Sequence, residues 1–286
     1  VWASLRPEQW TKNLFVFAAL LFGGELLKLD SVLRAIGTFA IFCALSGTVY
    51  LINDVADRDA DRQHPLKRDR PIAAGLIPVR MALASAIVLG TGALAGSVLI
   101  QPALASIAAG YLALLVLYSV GLKHVVIIDV LTIAAGFVLR AVAGGVAIGV
   151  PISHWLLICT TLLALFLALS KRRHELVLLG QTATGHRRIL EEYSPYLLDQ
   201  MIAVVTTSTL VAYTLYTISP ETIARLGTDR LGLTIPFVLY GIFRYLYLVH
   251  QKRGGGSPAA LLLDDRPLLA CVALWTLSVV LLLYGR

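Results

Sequence analysis

The sequence predicts an all-α protein, a polytopic membrane bundle of about nine transmembrane helices forming one catalytic domain over residues 1–286. Three observations carry this. Of the 286 residues, 58% are hydrophobic and only 14% are charged, where a soluble domain carries about 25% charged residues. The apolar residues gather in runs that approach the ~20 needed to cross a bilayer as helix. The basic residues are sorted between alternate loops, as expected of a chain that threads a membrane.

Hydropathy marks the spans at about residues 14–29, 32–52, 79–100, 103–121, 125–148, 152–170, 199–219, 231–250 and 267–284, with ends good to about 2–4 residues. The first follows a polar opening that holds Arg6, Gln9, Lys12 and Asn13. The second runs into Asn53 and Asp54 without a helix breaker. Only Gln101 and Pro102 part the third span from the fourth, and residues 149–154 part the fifth from the sixth, so these turns are tight. Longer loops, residues 53–78, 171–195 and 251–266, hold most of the charge and are where chemistry on a polar substrate is expected. Gly254-Gly255-Gly256-Ser257-Pro258 reads as a flexible turn before the last span, because Gly and Pro do not extend a helix. It lacks the GxxxxGK[ST] pattern of a phosphate loop. Alternating polar and apolar strands are absent, which favours helices over a barrel; either must satisfy its backbone internally.

Seventeen of the 24 Lys and Arg residues fall in the N-terminal segment and the charged loops, and five in the other loops and the C-terminus. The positive-inside rule then places the N-terminus and the active site in the cytoplasm, at the inner (plasma) membrane, and the C-terminus outside. This sorting also accounts for the net charge of +7, so no nucleic-acid partner is expected. The opening residues show no short hydrophobic core followed by a cleavage site, and no removable signal peptide is expected. Cys43, Cys159 and Cys271 each lie in a span without CxxC or Cys/His spacing, as small apolar residues.

The chemistry concentrates after the second span. If the helix continues, Asn53, Asp57 and Asp61 fall at i, i+4 and i+8 on one face, with Asp54 beside them. Like charges so spaced repel, and oxygen ligands in this number suit Mg²⁺, which completes its octahedron with water and substrate phosphates. The simpler alternative is a solvated helix end laced by Arg58 and Arg62. Arg58, Arg62, Lys67, Arg68 and Arg70 beside a metal site are what a polyphosphate requires. Lys171, Arg172 and Arg173 form a second basic run, open to a phosphate role or an anchoring one. Lys12, Tyr118 and Lys123 stand at the same surface; interfacial snorkelling explains Lys12 nearly as well. Arg140 and Arg244 sit inside spans, where a charge costs about 2.5–3.5 kcal/mol on insertion scales. Of these, Arg244 is the better phosphate candidate and Arg140 the more structural.

Asn53-Asp54, Asp57 and Asp61, followed by Asp69-Arg70-Pro71 and Gly75, resemble the first aspartate-rich motif of the UbiA superfamily of intramembrane prenyltransferases. The family normally carries a second aspartate-rich motif after the sixth span. Here that place reads Ser170-Lys171-Arg172-Arg173-His174-Glu175-Leu176. With residues 6–14, residues 118–123, Asp129, Arg140 and residues 241–245, this departure is similar to the decaprenyl-phosphate phosphoribosyltransferase branch. The resemblance implies Mg²⁺-dependent transfer of 5-phosphoribose from 5-phosphoribosyl-1-diphosphate to a polyprenyl phosphate, with release of diphosphate. It implies Asn53, Asp54, Asp57 and Asp61 as metal residues and a homo-oligomer, with membrane lipid as surroundings. Asp57 or Asp61 would balance positive charge at the sugar carbon. The competing expectation is a prenyltransferase acting from a prenyl diphosphate on an aromatic or other small acceptor. An ion-coupled carrier fits less well, since carriers place charges at the bilayer midplane.

Overall fold

The computed structural model describes residues 2–63, 67–179, 192–252 and 258–285. His64, Pro65, Leu66, Arg187, Arg188 and the turn at residues 254–257 lie outside them. The described residues form helices and turns without strands. Eight of the helices are long and apolar enough to cross a membrane. Large apolar side chains such as Ile87, Val88, Leu99, Leu117 and Leu277 are more than half exposed on them. A hydrocarbon surrounding makes that exposure favourable, as water would not.

The count differs from nine at the first predicted span. Residues Pro7–Phe17 wind as a 3₁₀ helix, continued by a five-residue α1 (Ala18–Phe22) and a turn through Gly24 at φ +76°. A 3₁₀ helix rises about 2.0 Å per residue against 1.5 Å for α, so this segment extends ~30 Å with fewer residues than an α-helical span.

The chain divides into two compact units, where the sequence reads as one domain without a linker. One comprises residues 1–20, 25–123 and 139–151, and the other residues 21–24, 124–138 and 152–286.

In the first unit, α2 (Leu29–Ala56), α4 (Val79–Ile100) and α5 (Pro102–Val120) pack against the N-terminal segment and the later half of α6 (Ile128–Ile148). Phe42, Leu45, Leu104, Ala108 and Tyr111 fill the centre. The polar residues buried there are mutually satisfied: Arg140 donates to Asn13 Oδ1 (2.7 Å) and to Tyr111 Oη (2.5 Å), and Asn13 Nδ2 donates to Cys43 Sγ (3.2 Å). Such pairing is what allows an arginine inside a span. Between α2 and α4 lies the short α3 (Arg58–Gln63), followed by a loop pinned to the core by buried Ile72 and Ile77. Gly75, at φ +78°, turns this loop toward Pro78 and the start of α4; a left-handed backbone favours glycine there.

In the second unit, α7 (His154–Leu179) and α8 (Pro195–Ile218) run together, with α9 (Pro220–Leu226), α10 (Ile235–His250), α11 (Pro258–Asp264) and α12 (Arg266–Tyr284) following. Phe166, Leu169, Leu198, Ile202, Tyr245 and Leu248 form its core with Val130 from the start of α6. Side chains close the helix N-termini: Ser194 accepts from Leu197 N, and Asp265 from Leu268 N.

Candidate functional site

The acidic motif folds differently from one continuous helix. α2 ends at Ala56, Asp57 is the hinge (φ −90°, ψ 5°), and α3 begins at Arg58. The buried line therefore runs through Asp54 and Asp61, both 2% exposed, while Asp57 is exposed and Asn53 half-buried. Asp54 lies in the last turn of α2 and Asp61 in α3, and both turn inward to the cations that meet them across the break at Asp57. This corrects the expectation that Asn53, Asp57 and Asp61 share the working face. Among the described residues, no three His, Cys, Asp or Glu side chains converge as a metal cage.

Asp54 and Asp61 are held by guanidinium groups. Arg70 Nη1 donates to Asp61 Oδ2 (2.7 Å) and to Asp54 Oδ1 (3.2 Å), and Arg6 Nη2 donates to the same Asp54 oxygen (2.5 Å). Lys67 Nζ stands 3.9 Å from Asp61 Oδ1. Two buried carboxylates this close would repel each other without such cations. Arg6 also lies over the Tyr50 ring, 4.8 Å from its centroid. Arg62 serves the loop instead: its Nε donates to Ala73 O (2.9 Å), and its Nη1 lies 3.6 Å from exposed Asp59. Arg68 is exposed and Arg58 half-buried. The donor set of carboxylate oxygens, two of them converging, fits Mg²⁺, which takes one or two carboxylates and leaves other positions to water and phosphate.

The second basic run is placed in the other unit, and its arginines diverge. Arg172 is 2% exposed; its Nε donates to Asp129 Oδ2 (2.7 Å) and its Nη1 to Glu175 Oε2 (2.7 Å). Asp129, fully buried, accepts on its other oxygen from Tyr193 Oη (2.8 Å), which itself accepts from Ile127 N (2.7 Å). Burial pushes the Tyr193 hydroxyl up to about 12. Arg173 grips both oxygens of Asp199, beside His250 Nε2 at 3.1 Å. Lys171 Nζ lies 3.7 Å from Glu175.

Arg244 is committed to a carboxylate: Nε and Nη2 donate to the two oxygens of Asp265 (3.1 and 2.8 Å). That guanidinium holds the Asp265 carboxyl below its usual range. The pair joins α10 to the capped start of α12, so Arg244 serves as a clamp between the two helices. Lys12, Tyr118 and Lys123 are half-buried.

Sequence reasoning left Arg6 out of the site, and did not find Asp129 with Arg172, Asp199 with Arg173, or Asp265 with Arg244. The signal for Asp129 was an acid at the edge of an apolar run, which demands a cation, but its partner lies 43 residues on. Backbone conformation points to the same clusters. Among the described residues, the non-glycine positive φ values belong to Arg6 (52°) and Ile127 (69°). Ile127 is β-branched and bears that strain while donating to Tyr193, so the surrounding network holds it there.

A family model described as the UbiA prenyltransferase family matches residues 13–263. A Corynebacterium glutamicum protein named decaprenyl-phosphate phosphoribosyltransferase is 35% identical over 98% of this chain and 86% of its own length. A Mycobacterium tuberculosis protein of the same name is 36% identical over 96% of this chain and 91% of its own. Among solved structures, a UbiA homolog from Archaeoglobus fulgidus bound to GPP and Mg²⁺ matches with a TM-score of 0.74. It shares 20% identity, with 98% of this chain and 97% of that chain covered, a likeness of fold. On the family match across most of its length and relatives similar over nearly all of it, the chain belongs to the UbiA prenyltransferase family.

Proposed function

We propose that this integral membrane protein transfers 5-phosphoribose from 5-phosphoribosyl-1-diphosphate to a polyprenyl phosphate, releasing diphosphate. The observation that carries the reading is similarity over nearly the whole chain to proteins named decaprenyl-phosphate phosphoribosyltransferase. It is supported by Lys171, Arg172 and Arg173 standing where the family's second acidic motif is expected.

In the reaction, the bond between the sugar's anomeric carbon and the diphosphate breaks, and a bond to the lipid phosphate oxygen forms. The acceptor is already ionised, so no strong general base is required. Asp54 and Asp61 would hold Mg²⁺, with Asn53 and Asp57 at its edge. Bound there, Mg²⁺ supplies charge stabilisation on the departing diphosphate and orients the donor. Arg58, Arg62, Lys67, Arg68 and Arg70 line the donor's phosphates, Arg70 and Lys67 from beside the aspartates and Arg62 by fixing the loop. Exposed Asp57 balances positive charge at the anomeric carbon. Lys171 and Arg173 are assigned to the ribose 5-phosphate or the lipid phosphate, with buried Arg172 anchoring them, and Lys12, Tyr118 and Lys123 to phosphate binding in their own unit; Arg244, bidentate on Asp265, serves the start of α12 instead. The active site faces the cytoplasm across the inner membrane, the protein works as a homo-oligomer, and membrane lipid holds the polyprenyl tail.

The test incubates purified protein in detergent with Mg²⁺, polyprenyl phosphate and labelled 5-phosphoribosyl-1-diphosphate, beside Asp54→Ala and Asp61→Ala. Label should enter the lipid phase only with Mg²⁺ and should be lost in both variants. Transfer of a prenyl group from a prenyl diphosphate to a small acceptor, with no labelled lipid, would replace this reading with an ordinary prenyltransferase.

A further inference from the structure

The proposed metal site has an internal competitor. Arg70 Nη1 touches Asp54 Oδ1 and Asp61 Oδ2 at once, 3.2 and 2.7 Å away, so it occupies the place between two carboxylates that a bridging ion would take. Those oxygens are at most 5.9 Å apart, the limit set by the two bonds. An ion with Mg–O distances of about 2.0–2.1 Å holds two ligand oxygens within about 4.2 Å of each other and leaves no room for a guanidinium nitrogen between them.

Charge makes the competition consequential. Arg6, Arg70 and, at 3.9 Å, Lys67 already compensate Asp54 and Asp61 in full, and both aspartates are shielded from water. A divalent ion added alone would leave its two positive charges uncompensated where they are poorly screened. A diphosphate arriving with the ion restores the balance and gives the released guanidinium a bidentate partner. The Arg70 side chain is 28% exposed, against 2–3% for the carboxylates, so it has an open side to turn toward.

We propose that Arg70 is a displaceable counter-cation: it holds Asp54 and Asp61 against bare metal and yields them when metal and diphosphate arrive together, then binds the diphosphate itself. This rests on the proposed role of the two aspartates as metal ligands and adds a selection step to it. Arg6, paired to Asp54 alone, stays as the fixed counter-charge.

The experiment measures binding of bare Mn²⁺ to metal-stripped protein in detergent by electron paramagnetic resonance, with labelled inorganic diphosphate as the second probe. Arg70→Gln should bind bare Mn²⁺ at least about tenfold tighter than wild type, and diphosphate in the presence of Mn²⁺ about tenfold more weakly. Exposed Arg80→Gln controls for through-space charge, which is screened over ~3 Å at 1 M salt; the Arg70 effect should persist there and the Arg80 effect should vanish. Equal or weaker Mn²⁺ binding by Arg70→Gln overturns the proposal. Should that variant be unstable without metal, its thermal midpoint is followed through a Mn²⁺ titration. A larger rise than in wild type supports the exchange, and an equal or smaller rise overturns it. Unchanged Mn²⁺ affinity with labelled lipid still formed would leave the proposed reaction standing, whereas Mn²⁺ exchange without labelled lipid would remove the reaction and keep the exchange.

Discussion

Tyr193 and Asp129 show how one buried acid is satisfied by its neighbours. Both oxygens of Asp129 accept, one from Tyr193 and one from Arg172, and the Tyr193 oxygen accepts from the Ile127 amide. The arrangement requires the tyrosine proton. Burial raises the folded-state pKa to about 12, from an ordinary value near 10. Between those values the unfolded chain releases the proton and the folded chain keeps it, so stability falls as pH rises through that window. Wild type should exceed Tyr193→Phe in unfolding midpoint by a constant margin up to pH about 10, and the margin should shrink toward pH 12. Detergent-solubilised protein unfolded by heat at stepped pH measures it; a margin that stays flat would mean the hydroxyl is not held as described. The sequence made Asp129 conspicuous as an acid on an apolar helix. It could not show the knot, because Tyr193 and Arg172 reach it from 64 and 43 residues away, beyond any local periodicity.

At the scale of elements, hydropathy located the helices from α4 to α12 that cross because an apolar run of the right length has few alternatives in a bilayer. Two elements escaped it, each for a tertiary reason. The helix after Asn53 breaks at Asp57 although the sequence there has no Gly or Pro; the inward pair Asp54 and Asp61 meets cations supplied by Arg6 and Arg70 from outside the helix. The N-terminal span is 3₁₀ where it lies along α6, and there Gly144 does what another residue cannot. A Cβ on Gly144 would stand 1.9 Å from the Val16 carbonyl oxygen, a backbone atom that cannot swing aside. One turn earlier on the same helix face, Arg140 holds Asn13 and Tyr111. Gly144→Ala should therefore push the two elements apart and cost about 1–3 kcal/mol, the usual penalty of overpacking. The loss should appear as a lower unfolding midpoint. Gly92→Ala, where nothing lies within 4 Å of the added carbon, is the control and should change little. Equal midpoints for the two variants would mean the N-terminal segment does not lie against α6.

For the whole molecule, function turns on which side of the membrane receives the donor. The charge distribution that predicts it was legible in the sequence, since basic residues fall on alternate loops whatever the packing between helices. A multiply charged sugar diphosphate cannot cross hydrocarbon, so the loop carrying Arg70 must open on the side where the donor is present. α2 offers a direct test, because its 28 residues extend about 42 Å, more than the ~30 Å hydrocarbon core, and its ends must emerge on opposite faces. Lys28 precedes it and Arg68 follows α3; both are exposed. With Cys43, Cys159 and Cys271 replaced by alanine, Lys28→Cys and Arg68→Cys become single reporters. In intact cells an impermeant maleimide should label Lys28→Cys, and Arg68→Cys only after permeabilisation. The reverse pattern would put the aspartate pair outside the cell, away from a cytoplasmic donor, and the proposed reaction would then need an exported substrate that the charge distribution gives no reason to expect.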